Sequence, residues 1–172
     1  LGDFQARPCR GVAAKSGRPS DGRMEASEMT GSELEKRIDR LESIEAIKQL
    51  RALYCEICDD DHNPDRITQV FAEDAIWEAG EQGRGQGHDA IRKIFEGFRE
   101  QISFSQHNIF NPRIEIEGDR AWGSWYLLGP FTFREGNSAR WLAVRQDDEY
   151  VRQNGVWLFQ HLRATIRMNA PH

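Results

Sequence analysis

The pair Asn154-Gly155, set between DDEYVR and VWLFQHLRATIR, restricts the fold more than any other feature of the chain. Both residues tolerate positive φ, and a two-residue loop of this kind closes a tight antiparallel hairpin. The hairpin is not isolated. From Ile102 onward β-branched and aromatic residues dominate, interrupted by turn formers at 117–119 (EGD), 134–139 (REGNSA) and 153–155 (QNG). Three turns between four runs predict four long antiparallel strands, so the helices of the fold must precede them.

They do. Leu34, Ile38, Leu41, Ile44, Ile47, Leu50, Leu53 or Tyr54, and Ile57 recur at spacings of three and four, which predicts an amphipathic helix from about Glu33 to Cys58. Ser32 and Glu35 can form a capping box at its start. DDDHNPD ends it, and Pro64 can open a second short helix through Val70 and Phe71. DAIWEAG reads as a short strand. In GEQGRGQG, Gly80, Gly83, Gly85 and Gly87 lack the spacing of a dinucleotide fingerprint and read as a flexible connection. Ile91, Ile94, Phe95 and Phe98 share one face of a third helix over residues 88 to 100. Helices followed by a meander predict an α+β fold: a cone-shaped, strongly curved, mainly antiparallel sheet with three N-terminal helices. Helices across the concave side of such a sheet leave a mouth that can hold a ligand.

The 172 residues suit one domain, placed at 32–170. Residues 1–31 carry Gly, Ser, Pro and Arg with few large apolar side chains, and are expected to be a disordered N-terminal extension. The formal net charge of -5 argues against nucleic acid and against an anionic membrane surface, since both need a concentrated positive field. No run of about 18 apolar residues is available to cross a bilayer. Cys9, Cys55 and Cys58 cannot all pair with one another, which points to a reducing cytoplasm. Cys55 and Cys58 form a C-x-x-C inside a helical pattern without a second pair, which favours neither zinc nor redox chemistry. His62 follows three aspartates, but adjacent loop residues rarely converge on one ion, so it reads as loop and no metal is expected.

His107, in SFSQHNIFNPRIEIEGDRA, is the residue best suited to acid–base work, because a neutral imidazole accepts a proton near pH 7. A strand histidine is also often a satisfied structural group, an acid at a helix end such as Asp59 usually faces water, and Tyr54 could be a packed phenol. Trp77, Tyr126 and Arg163 are candidate substrate contacts. Arg163 shares strand parity with Trp157, Phe159 and His161, which would turn it into the cone if those rings line it. Trp122, Trp125, Tyr126, Leu127 and Leu128 make one strand apolar on both faces, which predicts a homodimer or homotrimer built sheet against sheet.

The order IKQLRALYCEICD, VFAEDAIWE, GQGHDAIRKIF, HNIFNPRIEIEGDRAWGSWYL and EYVRQNGVWLFQHLR resembles the SnoaL-like family of the nuclear transport factor two superfamily, over roughly residues 35 to 168. That resemblance implies an α+β cone without metal or organic cofactor, in a group that includes dehydratases and a dehydrochlorinase. It also implies a catalytic His107 braced by Asp59, with Tyr54 in the same pocket wall. The implied function is a cofactor-independent lyase or isomerase acting on a hydrophobic cyclic small molecule. A non-catalytic ligand-binding or scaffolding module, or the small subunit of an aromatic-ring dioxygenase, would use the same cone. Catalysis requires His107 and Asp59 within hydrogen-bond reach beside a pocket, whereas a scaffold would separate them or fill the cone.

Overall fold

A computed structural model describes residues 30–171, so the expected disordered extension lies outside the described residues except for Thr30 and Gly31. Those two residues open helix α1 (Gly31–Asp59). The capping box is Thr30 with Glu33 rather than Ser32 with Glu35: the Thr30 hydroxyl accepts from the Glu33 N–H at 3.3 Å, and the Glu33 carboxylate accepts from the Thr30 N–H at 3.0 Å. The apolar stripe is continuous in sequence but buried only in part. Leu34, Ile38 and Leu41 are exposed where α1 overhangs the sheet, and burial begins at Ser43 and Ile47. Arg152 holds the overhang, reaching Asp39 and Asp119 at 2.7 Å each.

After α1 come α2 (Pro64–Ile67), a single 3-10 turn (Thr68–Val70) and strand β1 (Phe71–Glu78), so Phe71 opens a strand instead of ending a helix. The glycine-rich segment is more ordered than expected. It contains β2 (Arg84–Gln86), paired antiparallel with β1. Helix α3 (His88–Gln101) leads into β3 (Ile102–Ser105), β4 (Asn108–Glu117), β5 (Arg120–Phe133), β6 (Ser138–Gln153) and β7 (Val156–Pro171). Asn154 and Gly155 carry the positive φ values, 52° and 80°, that the β6–β7 hairpin requires.

The sheet runs β2-β1-β7-β6-β5-β3, with β4 also pairing β5. All pairings are antiparallel except β1 with β7, whose parallel contact joins segments that no local pattern connects. Five strands replace the expected four, because the run beginning at Ile102 breaks after Ser105. Gly129 explains where: a Cβ there would lie 1.9 Å from the Gln106 carbonyl oxygen, so only glycine lets the chain cross β5 at that point. Gln106 N–H then bonds the Pro130 carbonyl at 3.1 Å. Irregular register between β6 and β7 at Glu149/Tyr150 and Ala143/Val144 marks two bulges, which bend these long strands around the helices. Tyr54, Phe71, Phe95, Tyr150 and Phe159 fill the core between α1, α3 and the concave face. Among the described residues no helix is long and apolar enough to cross a membrane.

Candidate active site

Tyr54 and Cys58 stand one helical turn apart at the buried end of α1, and Asp59 follows at its last position. The interruption between β3 and β4 at Gln106 places Ser105 and His107 against that end. His107 Nδ1 lies 2.6 Å from Asp59 Oδ1, and the His107 backbone N–H donates to Asp59 Oδ2 at 3.0 Å. Ser105 adds its hydroxyl, 3.1 Å from Asp59 Oδ1 and 3.2 Å from the Cys58 carbonyl. Burial pulls the Asp59 carboxyl upward, but the His107 ring, its backbone N–H and Ser105 outweigh this and leave the group below its ordinary value. An ionised Asp59 only accepts, so in the neutral ring Nδ1 carries the proton and Nε2 keeps its lone pair.

His107 lines a cavity of about 630 Å³, edge-on to Phe131 at 5.0 Å between ring centres. Asp59 stands behind the ring, outside the lining. Tyr54, Trp77, Leu127, Val144 and Ala164 form much of the apolar wall. The Trp77 indole N–H donates to the Tyr54 hydroxyl oxygen at 3.1 Å, fixing the phenol in place. Burial holds the Tyr54 phenol well above its usual range, so it stays protonated and can donate. Burial also raises Cys58 well above the ordinary thiol value and Cys55 to about 12, so these free thiols are not nucleophiles at neutral pH.

His62 does lie in the turn after α1, but its ring is turned inward and lines the cavity. It is 5 % exposed, and its ring centre is 6.1 Å from that of His107. Asp61 and His62 both hold positive φ, 55° and 48°, an uncommon backbone for non-glycine residues that delivers the ring to this position. Burial, with the His107 ring beside it, depresses the His62 imidazole to about 4, so it is neutral. No run of local polarity signals such a ring, because its orientation is set by the two left-handed residues.

Two further features escape a linear reading. Deep in the cone Arg51 ion-pairs with Asp148, the Tyr150 hydroxyl donates to Asp148 at 2.7 Å, and Trp125 donates to Tyr150 at 3.0 Å. The Arg51 guanidinium also lies over the Phe159 and Tyr54 rings, at 4.8 and 5.2 Å. Beside this cluster Gln146, on β6, lines the cavity with 4 % exposure. Alternation along β6, with Leu142, Val144, Gln146, Asp148 and Tyr150 all buried, is the signal that could have placed both residues inside.

Two expected contacts lie elsewhere. On β5 the odd-numbered residues from Ala121 to Phe131 face inward, so Tyr126 faces out, 49 % exposed, under the Arg145 guanidinium. Arg163 is turned away because a bulge intervenes: Phe159 pairs with Tyr150 and His161 with Glu149, leaving Gln160 extra. Leu162 and Ala164 inherit the inward face, and Arg163 bonds Glu78 at 2.6 Å on the neighbouring β1. Among the described residues no group of three or more His, Cys, Asp or Glu side chains could hold a metal ion.

Residues 39–163 match the model of the SnoaL-like domain. The chain belongs to the SnoaL-like family. Among solved structures, this family member is similar to hexachlorocyclohexane dehydrochlorinase LinA type 2, at 25% identity and a TM-score of 0.74, covering 79% of this chain and 93% of that one. A candidate aromatic ring hydroxylase from Novosphingobium aromaticivorans is 25% identical with a TM-score of 0.69, covering 78% and 93%. A candidate scytalone dehydratase from Novosphingobium aromaticivorans DSM 12444, at 20% identity and a TM-score of 0.73 over 79% and 91%, shares the fold. No curated protein matches the sequence.

Proposed function

We propose that this SnoaL-like protein is a cofactor-independent lyase or isomerase, acting on a hydrophobic cyclic small molecule through the His107–Asp59 dyad. The observation that carries the reading is a carboxylate 2.6 Å from an imidazole that itself lines an apolar cavity. Asp59 fixes the tautomer and stabilises the imidazolium that forms, while Nε2 takes a proton from substrate carbon. The electron pair of that C–H bond becomes a C=C bond if a β-substituent leaves with its own pair, and the imidazolium can protonate a departing hydroxide. Return of the proton to another carbon gives isomerisation instead. Tyr54 supplies a pre-placed donor for charge growing on a substrate oxygen, in surroundings too dry to screen it. A ligand-binding or scaffolding module, or a dioxygenase small subunit, would leave this dyad without a task.

The test is incubation of the protein in D2O with cyclic ketones, hydroxylated polycycles and halogenated rings, followed by mass spectrometry. Loss of water or hydrogen halide, or deuterium uptake next to a carbonyl, is expected with the native chain and not with His107→Ala. Neither change with any compound overturns the proposal.

The partner in this reading is a small molecule rather than nucleic acid or a membrane, and the free thiols suit a reducing cytoplasm. Phe110, Trp122, Tyr126 and Leu128 are 39 to 49 % exposed on the outer face of β4 and β5. We assign this patch to a homodimer or homotrimer interface. A strict monomer in sedimentation velocity contradicts it.

A further inference from the structure

Two imidazoles line the cavity side by side, and the pair with Asp59 includes only one of them. His62, from the turn after α1, is 5 % exposed, and its ring centre stands 6.1 Å from that of His107, edge to face. Its other ring neighbours are Phe98 and Phe95, at 5.7 and 6.2 Å, whose side chains offer it no donor or acceptor. Among the described residues neither ring nitrogen has a hydrogen-bond partner, yet neither is enclosed by protein as the unpaired Arg51 Nε and Gln146 Oε1 are. Polar surface of this ring therefore stays open where it lines the cavity. The turn is pinned in the form that puts it there: the His62 backbone N–H donates to the Cys58 carbonyl at 3.0 Å, and Arg99 of α3 donates to the Asp61 carbonyl at 3.1 Å. Left-handed backbone at two successive non-glycine residues persists only where such contacts impose it.

Two properties suit the ring to donate rather than to act as a second base. Burial keeps it neutral at pH 7, so it does not compete for the proton that His107 takes. No carboxylate bonds either nitrogen, so its N–H settles on whichever nitrogen faces an acceptor, whereas Asp59 fixes the tautomer of His107. The Tyr54 hydroxyl is less free, since it accepts from Trp77 at 3.1 Å and lies beside the Cys58 thiol. A base acts over about 3 Å and an N–H···O bond spans about the same. Imidazoles whose centres are 6.1 Å apart can therefore flank adjacent atoms of one ligand.

We propose that the His62 ring N–H donates to a carbonyl oxygen of the substrate, next to the carbon deprotonated by His107. This rests on the reading of His107 as the base. As Nε2 takes the proton, the C–H electron pair becomes the C=C bond of an enolate and the C=O π pair moves to oxygen. His62 meets that charge with a hydrogen bond already in place and keeps its own proton. The imidazolium exchanges its proton with solvent and returns one to carbon.

The probe is 4-phenylcyclohexanone labelled with ¹³C at the carbonyl. Its bound carbonyl resonance is read by NMR, and deuterium uptake beside the carbonyl by mass spectrometry in D2O. On the native protein the resonance is expected downfield of its position in cyclohexane, as a donor on the oxygen requires. His62→Phe, which keeps a ring and removes the N–H, should abolish that shift and slow uptake at saturating ketone by about 10²-fold, with affinity falling less than about tenfold. His62→Gln, which keeps a donor, should restore part of both. A shift that survives in His62→Phe assigns the contact to Tyr54 or to a bound water and overturns the proposal. So does uptake that is present and equal in the native protein and His62→Phe, or failure of the native protein to bind the ketone. If His62→Phe does not fold, native protein labelled with ¹⁵N-histidine decides, because the His62 ring N–H resonance must move when the ketone is added. A His62-dependent shift without uptake removes His107 as the base and leaves the hydrogen bond standing, whereas uptake without the shift does the reverse.

Discussion

Beyond the Asp39–Arg152 ion pair at its overhang, helix α1 meets the sheet through two further carboxylate contacts, Arg51–Asp148 at the narrow end of the cone and Asp59–His107 nearer its mouth. The first is closed: both side chains are at most 1 % exposed, and Tyr150 adds a further donor to the carboxylate. The second is half open, with Asp59 30 % and His107 9 % exposed at the side chain. Arginine has no accessible neutral form, so the inner pair cannot exchange a proton and can only hold helix to sheet. Histidine has one, and its free Nε2 belongs to a ring that lines the cavity. The same device, a carboxylate across a helix–sheet junction, is structural or reactive according to which nitrogen donor it meets and whether that donor's side chain reaches a void.

The strongest way to break the comparison is to delete the outer imidazole. His107→Ala should lower turnover by about 10³-fold or more, some 4 kcal/mol of barrier, while moving the melting temperature little. Asp59→Asn should lose a similar factor, because an amide can present its N–H to Nδ1 and so favour the wrong tautomer. Steady-state kinetics alongside thermal melts separate the two effects. Full activity in either variant would return the outer pair to a structural role.

The inner pair should behave in the opposite way. Arg51→Met or Asp148→Asn alone strands a buried charge and should cost about 3 to 5 kcal/mol in denaturant unfolding. Replacing both together, Arg51→Met with Asp148→Leu, should recover most of that loss, since two apolar side chains need no counter-charge. A double variant as unstable as the singles would show that the pair contributes more than mutual neutralisation.

A pH titration of stability sharpens the contrast further, because the group between the two behaviours is His62. Its folded value near 4 lies below the unfolded value of about 6.5, so the unfolded chain binds the proton first. Stability is then complete above pH 6.5 and is lost as pH falls toward 4, by about 3 kcal/mol in all. Other groups act on the same ring: His107 opposes its protonation, whereas Asp59 and Asp61 favour it. His62→Asn should flatten this part of the curve, whereas Asp148→Asn should displace the whole curve without flattening it. Unfolding free energies of equal slope in the native protein and His62→Asn would contradict the assignment.

How far these features were legible in the sequence follows from the range of the forces that set them. The order of helices and strands, and the hairpin at Asn154-Gly155, depend on local periodicity and turn chemistry, and both appear in the structure. The meeting of Asp59 with His107 came from the resemblance to the SnoaL-like family, not from spacing; no residue between them signals it. Parity failed for Arg163, because a bulge at Gln160 adds one residue and reverses the faces from there to the second bulge. The loop expected at His62 describes its backbone; the inward turn of its ring depends on two left-handed residues that no composition rule marks. The inner pair was invisible for a simpler reason: Arg51 and Asp148 are 97 positions apart and only the closed cone brings them together.

The smallest expected effect tests what makes the outer pair reactive rather than merely present. Ser105→Ala removes the hydroxyl that lies 3.1 Å from Asp59 Oδ1 but leaves both His107 donors to that carboxylate. One hydrogen bond to a partly exposed carboxylate contributes about 1 kcal/mol, so unfolding at pH 7 should show a loss of that size. Turnover should fall by less than about tenfold, since the imidazole keeps its tautomer and its lone pair. The sign of the pH dependence is fixed by Asp59, whose folded value lies below its ordinary one. Its contribution is complete above an ordinary carboxylate value of about 3.9 and is lost as pH falls through the lower folded value. In Ser105→Ala the carboxyl moves back toward the ordinary value, so the two proteins should converge in stability at the acid end. A difference that persists undiminished below the folded value would mean that Ser105 works through the Cys58 carbonyl at the end of α1, and that the charge of Asp59 is held by His107 alone.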